Sequence, residues 1–284
     1  MNKWFFFLLI GLFLSFSIHF ILKNNAAPVI TYFPHDEESG FTKAVSNLEL
    51  FLPKGNDSYE IVWSSDSESD KEMYLRQDAS LLFDNGRLRG VLSTWTQDTK
   101  KIHIEEKIFS EDSSFFQVIS FHHGEIHYPG DQIRGIHKMS ADHLYVIDSP
   151  STSLDAFKTP KDDFEKEWKD LLDRTTKQQL LYHWNQLFSH FAIDSKSYLS
   201  VPLTSLVKYN SHPLPNMTQE QTNKIIGQLW EGLYKNYLIP AVNTEDSQLH
   251  SHIPIILFAE ENNHLLVLFE LNGEKHKLIQ HYSL

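Results

Sequence analysis

Sixteen histidines stand in this 284-residue chain, and five of them fall between positions 122 and 143. Within that stretch His123, Glu125 and His127 are spaced by two. Successive side chains of a strand alternate between its faces, so on one unbroken strand from Phe115 to His127 these three would share a face. Two imidazoles and a carboxylate form a metal-ligand set. A metal-dependent envelope hydrolase using the His122–His127 segment is therefore one function the residues allow. Gly124 argues against it, because glycine weakens a strand interior but suits a turn. With His123-Gly124 at a hairpin tip, His122 and Glu125 oppose each other and the triplet is dispersed, which is the arrangement expected here.

Other chemistry finds less support. The chain has no zinc-binding HExxH, no G-x-S-x-G, no serine–lysine motif and no glycine-rich phosphate or dinucleotide loop. Asp66, Glu68 and Asp70 open like a calcium loop, but Lys71 stands at the turn glycine and Gln77 at the bidentate glutamate. Adjacent acids such as Glu105-Glu106 and Glu260-Glu261 fall on opposite faces of a strand or in a turn, so neither pair makes a glycosidase site. His183 and His190 flank an aromatic stripe and read as core-edge residues. Trp63, Trp95, Trp168, Trp184 and Trp230 lie in phase with apolar positions and are expected in the core, where large aromatics contribute most. There is no cysteine, which excludes disulfides, thiolate catalysis and cysteine-based zinc sites.

The element that positions everything else is Trp4–Leu22, nineteen residues without a charge and with six phenylalanines on all sides. That length suits a helix crossing a ~30 Å hydrocarbon layer. A cleaved signal would have a shorter core, and the nearest cleavage position, Ala27, follows Asn25 where a small residue belongs. The expectation is an uncleaved anchor in the bilayer, N-terminus cytoplasmic and body extracytoplasmic, with secretion after cleavage near Ala27 as the alternative. Lys3 and the amino terminus carry the orientation. Residues 1–23 hold two lysines and no acid, so the body carries 23 basic against 37 acidic side chains. Such a surface gains nothing from a phosphate backbone, which excludes nucleic acid as a partner.

Periodicity then suggests an α+β fold in two regions, 24–150 and 151–284, sharing one core or forming two. The first, after a strand at Val29–Phe33, is antiparallel β, with Ser64–Asp70 as a polar loop. Hairpins are expected at Asn85-Gly86, His123-Gly124 and Asn272-Gly273, the Asn-Gly pairs because they supply the positive φ angles of a type I′ turn. Further strands are read at Gln132–His137 and His143–Asp148, with Met139–Asp142 between them. Helical periodicity starts after a Thr159 cap and shifts phase near Asp173–Thr176, predicting two helices. A third runs from a Thr218/Gln221 capping box to Pro240. A three-stranded meander over residues 253–280 closes the chain.

With an anchor and without a catalytic motif, the leading expectation is a non-catalytic interaction or accessory module of a bacterial cell envelope, its partner a membrane or envelope protein. The rivals are the hydrolase above, with a divalent metal as cofactor, and a carrier of lipid or peptide.

Overall fold

The computed structural model describes residues 29–51, 58–150, 152–243, 250–261 and 263–282. Trp4–Leu22 and Ala27 lie outside them; no helix among the described residues is long and apolar enough to cross a membrane. The fold is α+β and largely antiparallel β.

Two long strands, β2 (Tyr59–Asp84) and β3 (Arg87–Ser110), form a ribbon closed by Asn85-Gly86, both residues at positive φ. The ladder slips between Glu68 and Met73, and there the ribbon folds over on itself. Before the slip β2 pairs with β1 (Phe41–Phe51); after it, from Leu75 to Asp84, it pairs with β4 (Ser114–Tyr128). The ribbon's two ends meet again. Gly90 lies against Trp63, where a Cβ would come within 2.6 Å of the indole, and Arg89 donates to the Phe109 carbonyl at 3.2 Å. β5 (Gln132–Ser149) and β6 (Thr152–Phe157) extend the second half. One bent ribbon thus supplies strands to both layers of a sandwich.

Between the layers, Leu48, Ile61, Trp63, Leu82, Val118 and Val146 form one core. The outer face of β2, β4 and β5 carries Leu81, Phe83, Ile119 and Phe121 into a larger core. Helix α1 (Asp163–Phe191), helix α2 (Gln219–Leu233) and a second sheet cover that face. This sheet has the order β10 (Glu274–His281), β9 (His264–Leu271), β8 (Ile255–Ala259), β7 (Tyr198–Pro202). The large core draws on residues from both 24–150 and 151–284. Each large apolar side chain buried there is worth about 2 kcal/mol.

Several expectations are corrected. Ser64–Asp70 is strand, not loop, because its polarity alternates: Ser65, Ser67 and Ser69 are buried, while Asp66 and Glu68 reach His103 and Lys101. Phe41–Phe51, unread in the sequence, is a strand; Val29–Phe33 is not, and a single bridge, His35 to Gly135, follows it. Met139–Asp142 lies inside β5. α1 is one helix of 29 residues capped by Asp162, not Thr159. Its phase change serves two neighbours: Leu172 packs with Tyr145, Ile147 and Phe157, whereas Leu180, Trp184 and Leu187 enter the large core. The Thr175 hydroxyl turns back to the Leu171 and Leu172 carbonyls instead of capping a new helix. Pro240 does not stop the α2 region, because a π turn, Tyr234–Leu238, leads into a last α turn at Ile239–Val242. Of the five tryptophans expected in the core, Trp95 misses it, at 37% exposure.

Candidate functional site

Inward-facing positions of the sandwich hold polar residues from four strands. Arg76, Asp78 and Ser80 come from β2, Ser120 and His122 from β4, Ser140 from β5 and Ser46 from β1, all buried. They form a hydrogen-bonded chain beginning at the Trp63 indole. An indole N–H only donates, a carboxylate only accepts and each serine has one proton. Every proton is used once if the chain runs one way: Trp63 to Ser80 (2.9 Å), then to Ser120, Ser46, Ser140 and His122 Nε2 (2.7 Å each). His122 Nδ1 closes it on Asp78 at 2.7 Å. Proton counting therefore assigns His122 the Nδ1–H tautomer.

Asp78, His122 and Ser140 stand in the order by which hydrolases activate a serine. Ser140, however, lies at mid-strand opposite Ser120, is 6% exposed, and has its oxygen engaged by both Ser46 and His122. This arrangement fastens β1 across β2, β4 and β5. Arg76 balances the buried Asp78 carboxylate, with Nη2 at 3.7 Å from Oδ1. Its guanidinium also donates to Ser69, Ser67 and the Lys100 carbonyl, under the Phe41 ring. Burial pulls its pKa below the ordinary arginine value, and Asp78 opposes that pull.

On the opposite face lie the residues singled out by spacing. The expected His123-Gly124 hairpin does not form: β4 is continuous, and its turn to β5 comes at Pro129-Gly130-Asp131. Gly124 serves packing instead, since a Cβ there would lie 2.3 Å from Met73 Sδ and 3.2 Å from Arg76 Cδ. His123, Glu125 and His127 accordingly share a face, with Glu125 at 3.4 Å from His123 Nε2 and 3.7 Å from His127 Nε2. His127 stacks on Tyr74. Among the described residues no group of three or more His, Asp or Glu is arranged to hold a metal ion.

Beside them, the first described residues are built into the body. Ile30 is 1% exposed, the Tyr32 amide donates to Glu231 at 3.0 Å, and the Pro34 carbonyl and Asp36 amide clasp Gly135. A cleft of 790 Å³ opens here, lined by Tyr32, His35, Arg134, His137, Glu220 and Lys224 among others. Burial pushes His137 down to about 3, helped by the neighbouring His123 and His35. Glu231 resists the upward push of burial because Lys235 and the Tyr32 amide hold it below the ordinary glutamate value.

No protein-family model, curated protein or solved structure matches the chain.

The relay was not visible in the sequence, because its members are separated by up to 94 residues and single serines carry no signal. In the sequence Gly227 and Gly232 are alike, each weakening the helix between Thr218 and Pro240. In the structure a Cβ at Gly227 would meet the Tyr32 ring at 2.6 Å and His137 at 3.0 Å, whereas Gly232 has nothing within 4 Å. Gly232→Ala is expected to stabilise the protein by up to ~1 kcal/mol through helix propensity. Gly227→Ala is expected to lose about 2 kcal/mol net from overpacking. Urea denaturation of the two variants checks this, and equal gains at both positions would contradict the close approach.

Proposed function

We propose that this protein is a membrane-tethered, extracytoplasmic, non-catalytic interaction module of a cell envelope. The observation that carries the reading is the short distance between the apolar stretch and the body. Seven residues, 23–29, separate Trp4–Leu22 from Ile30, which is already in the large core. Seven extended residues span at most ~25 Å, so an anchor at Trp4–Leu22 would hold the body close against the bilayer, with the cleft and the Pro34–Gly135 clasp nearest the tether. Such a placement suits a protein that acts on a membrane or envelope protein beside it. The cleft leaves the lipid or peptide carrier as a variant of this reading.

The hydrolase reading draws on two sets, His123, Glu125 and His127 with a divalent metal, and Asp78, His122 and Ser140. The test uses the full chain in its native membranes and then purified in mild detergent. It should resist carbonate extraction, be cleaved by protease added from outside, and lose membrane association when Trp4–Leu22 is replaced by a polar sequence. Fluorophosphonate should leave Ser140 unmodified. Covalent labelling of Ser140, or one tightly bound zinc or manganese per chain with turnover lost in His123→Ala, would overturn the non-catalytic reading.

A further inference from the structure

β3 runs along β2; on its other edge Arg87 bridges His252 and the Leu88 amide reaches Ser251, but past Gly90 no strand among the described residues pairs with that edge. The edge runs through Lys100-Lys101-Ile102-His103-Ile104-Glu105-Glu106, a segment antisymmetric in charge about His103. We propose that two copies of this chain join through this edge, antiparallel and centred on His103, continuing the sheet from one molecule into the other. In that register Lys100 faces Glu106 of the second copy, Lys101 faces Glu105, and Ile102 faces Ile104; the two-fold axis repeats each pair.

The backbone agrees with this register. Residues of a strand alternate in which edge their N–H and C=O address. The Lys101 N–H and C=O are both met by the Thr99 hydroxyl, at 3.4 and 3.3 Å, and the Phe109 carbonyl is met by Arg89. The Lys100 carbonyl instead faces inward to Arg76 and Ser69. Odd-numbered residues thus offer their backbone to the open edge. His103 then pairs with its twin, and Lys101 with Glu105, as hydrogen-bonded pairs, giving about six backbone bonds over Lys101–Glu105 of the two chains once the Thr99 hydroxyl yields its place on Lys101.

Charge also selects this register over its neighbours. A slip of two residues one way sets Lys101 against Lys107, and the other way sets Asp98 against Glu106. Exposed edges are commonly guarded by charge, which repels a second strand. Here the charges oppose slipped pairings and complement one. On the inner face, Ile102 and Ile104 carry the apolar layer across the junction. This edge belongs to β3 alone and is independent of the tether.

The chain has no cysteine, so His103→Cys places a single thiol on the proposed two-fold axis. The paired Cα atoms would stand ~5.5 Å apart, within disulfide range. In full-length protein in mild detergent, His103→Cys should cross-link to a dimer under gentle oxidation. Lys107→Cys, which faces Thr99, should not. By analytical ultracentrifugation, the pair Lys100→Glu and Lys101→Glu should weaken the dimer by about tenfold or more, four opposite-charge contacts becoming like-charge. Adding Glu105→Lys and Glu106→Lys recreates a complementary edge and should restore it, which a merely unfolded variant would not do. A monomer at all concentrations, equal cross-linking at both positions, or no rescue by the fourfold exchange would overturn the proposal.

Discussion

Arg76→Met is expected to destabilise the protein by about 3 to 5 kcal/mol, the cost of stripping a buried charge of its partner. Asp78 would keep only His122, and the Lys100 carbonyl, Ser67 and Ser69 would lose the donor that serves them. Most of that cost should come from the orphaned carboxylate and not from lost attraction. The double variant Arg76→Met with Asp78→Asn should therefore recover about half, because an asparagine oxygen still accepts the His122 proton while the buried charge is gone. Urea denaturation of wild type, both single variants and the double variant gives the cycle. A loss under ~1 kcal/mol for Arg76→Met would show that the layers do not depend on the pair.

Acidification is the second large effect. Burial pushes His137 down to about 3 and His252 to about 4; the stacked His183 is lowered as well, again first by burial. An unfolded histidine titrates near 6.5. Between that value and the folded ones the unfolded chain binds more protons, so stability falls as pH drops below about 6.5 and goes on falling toward 4. Each unit costs at most ~1.4 kcal/mol per histidine. Since the rings are only partly enclosed, about 2 to 4 kcal/mol by pH 5 is expected from His137 and His252 together. Asp36 and Glu231, both held below their ordinary values, add losses at lower pH; Asp84, raised by burial, works the other way. Urea midpoints at pH 7.5, 6 and 5 should fall steadily, and His137→Gln with His252→Gln should flatten the slope. A midpoint unchanged to pH 5 would mean that these rings charge freely in the folded state.

What the sequence made legible is what local physics decides. Asn85-Gly86 and Asn272-Gly273 turn where two positive φ angles were expected, and Thr218 with Gln221 closes a capping box. The closing meander forms over residues 255–281, with β7 added at its edge. The misreadings share a different cause. Gly124 was read by its freedom, but its role is set by Met73 and Arg76, fifty residues upstream. Ser65, Ser67 and Ser69 were read as solvated because the arginine that donates to two of them lies across a bend. The phase change in α1 looked like a break since a sequence does not show that one helix serves two cores. Candidate site residues were legible only as far as alternation along β4, which places His123, Glu125 and His127 on one face; Asp78, Ser140 and Ser46 come from other strands and left no local trace.

The doubled ribbon also sets an order of assembly. β2 and β3 are contiguous and joined by a tight turn, so they can zip together as soon as residue 110 has been synthesised, in microseconds once nucleated. Their folding in half waits for more. Arg76 meets Ser67, Ser69 and the Lys100 carbonyl once the ribbon folds over, but the serine chain closes only when β4 and β5 bring Ser120, His122 and Ser140, and the outer face of β2 stays uncovered until α1, α2 and the C-terminal sheet have emerged. The nascent chain thus carries a long, half-wetted ribbon for most of its synthesis, and the contacts that finish the molecule are its most distant ones. Folding is expected to be slow for its size, limited by late long-range closure and not by hairpin formation.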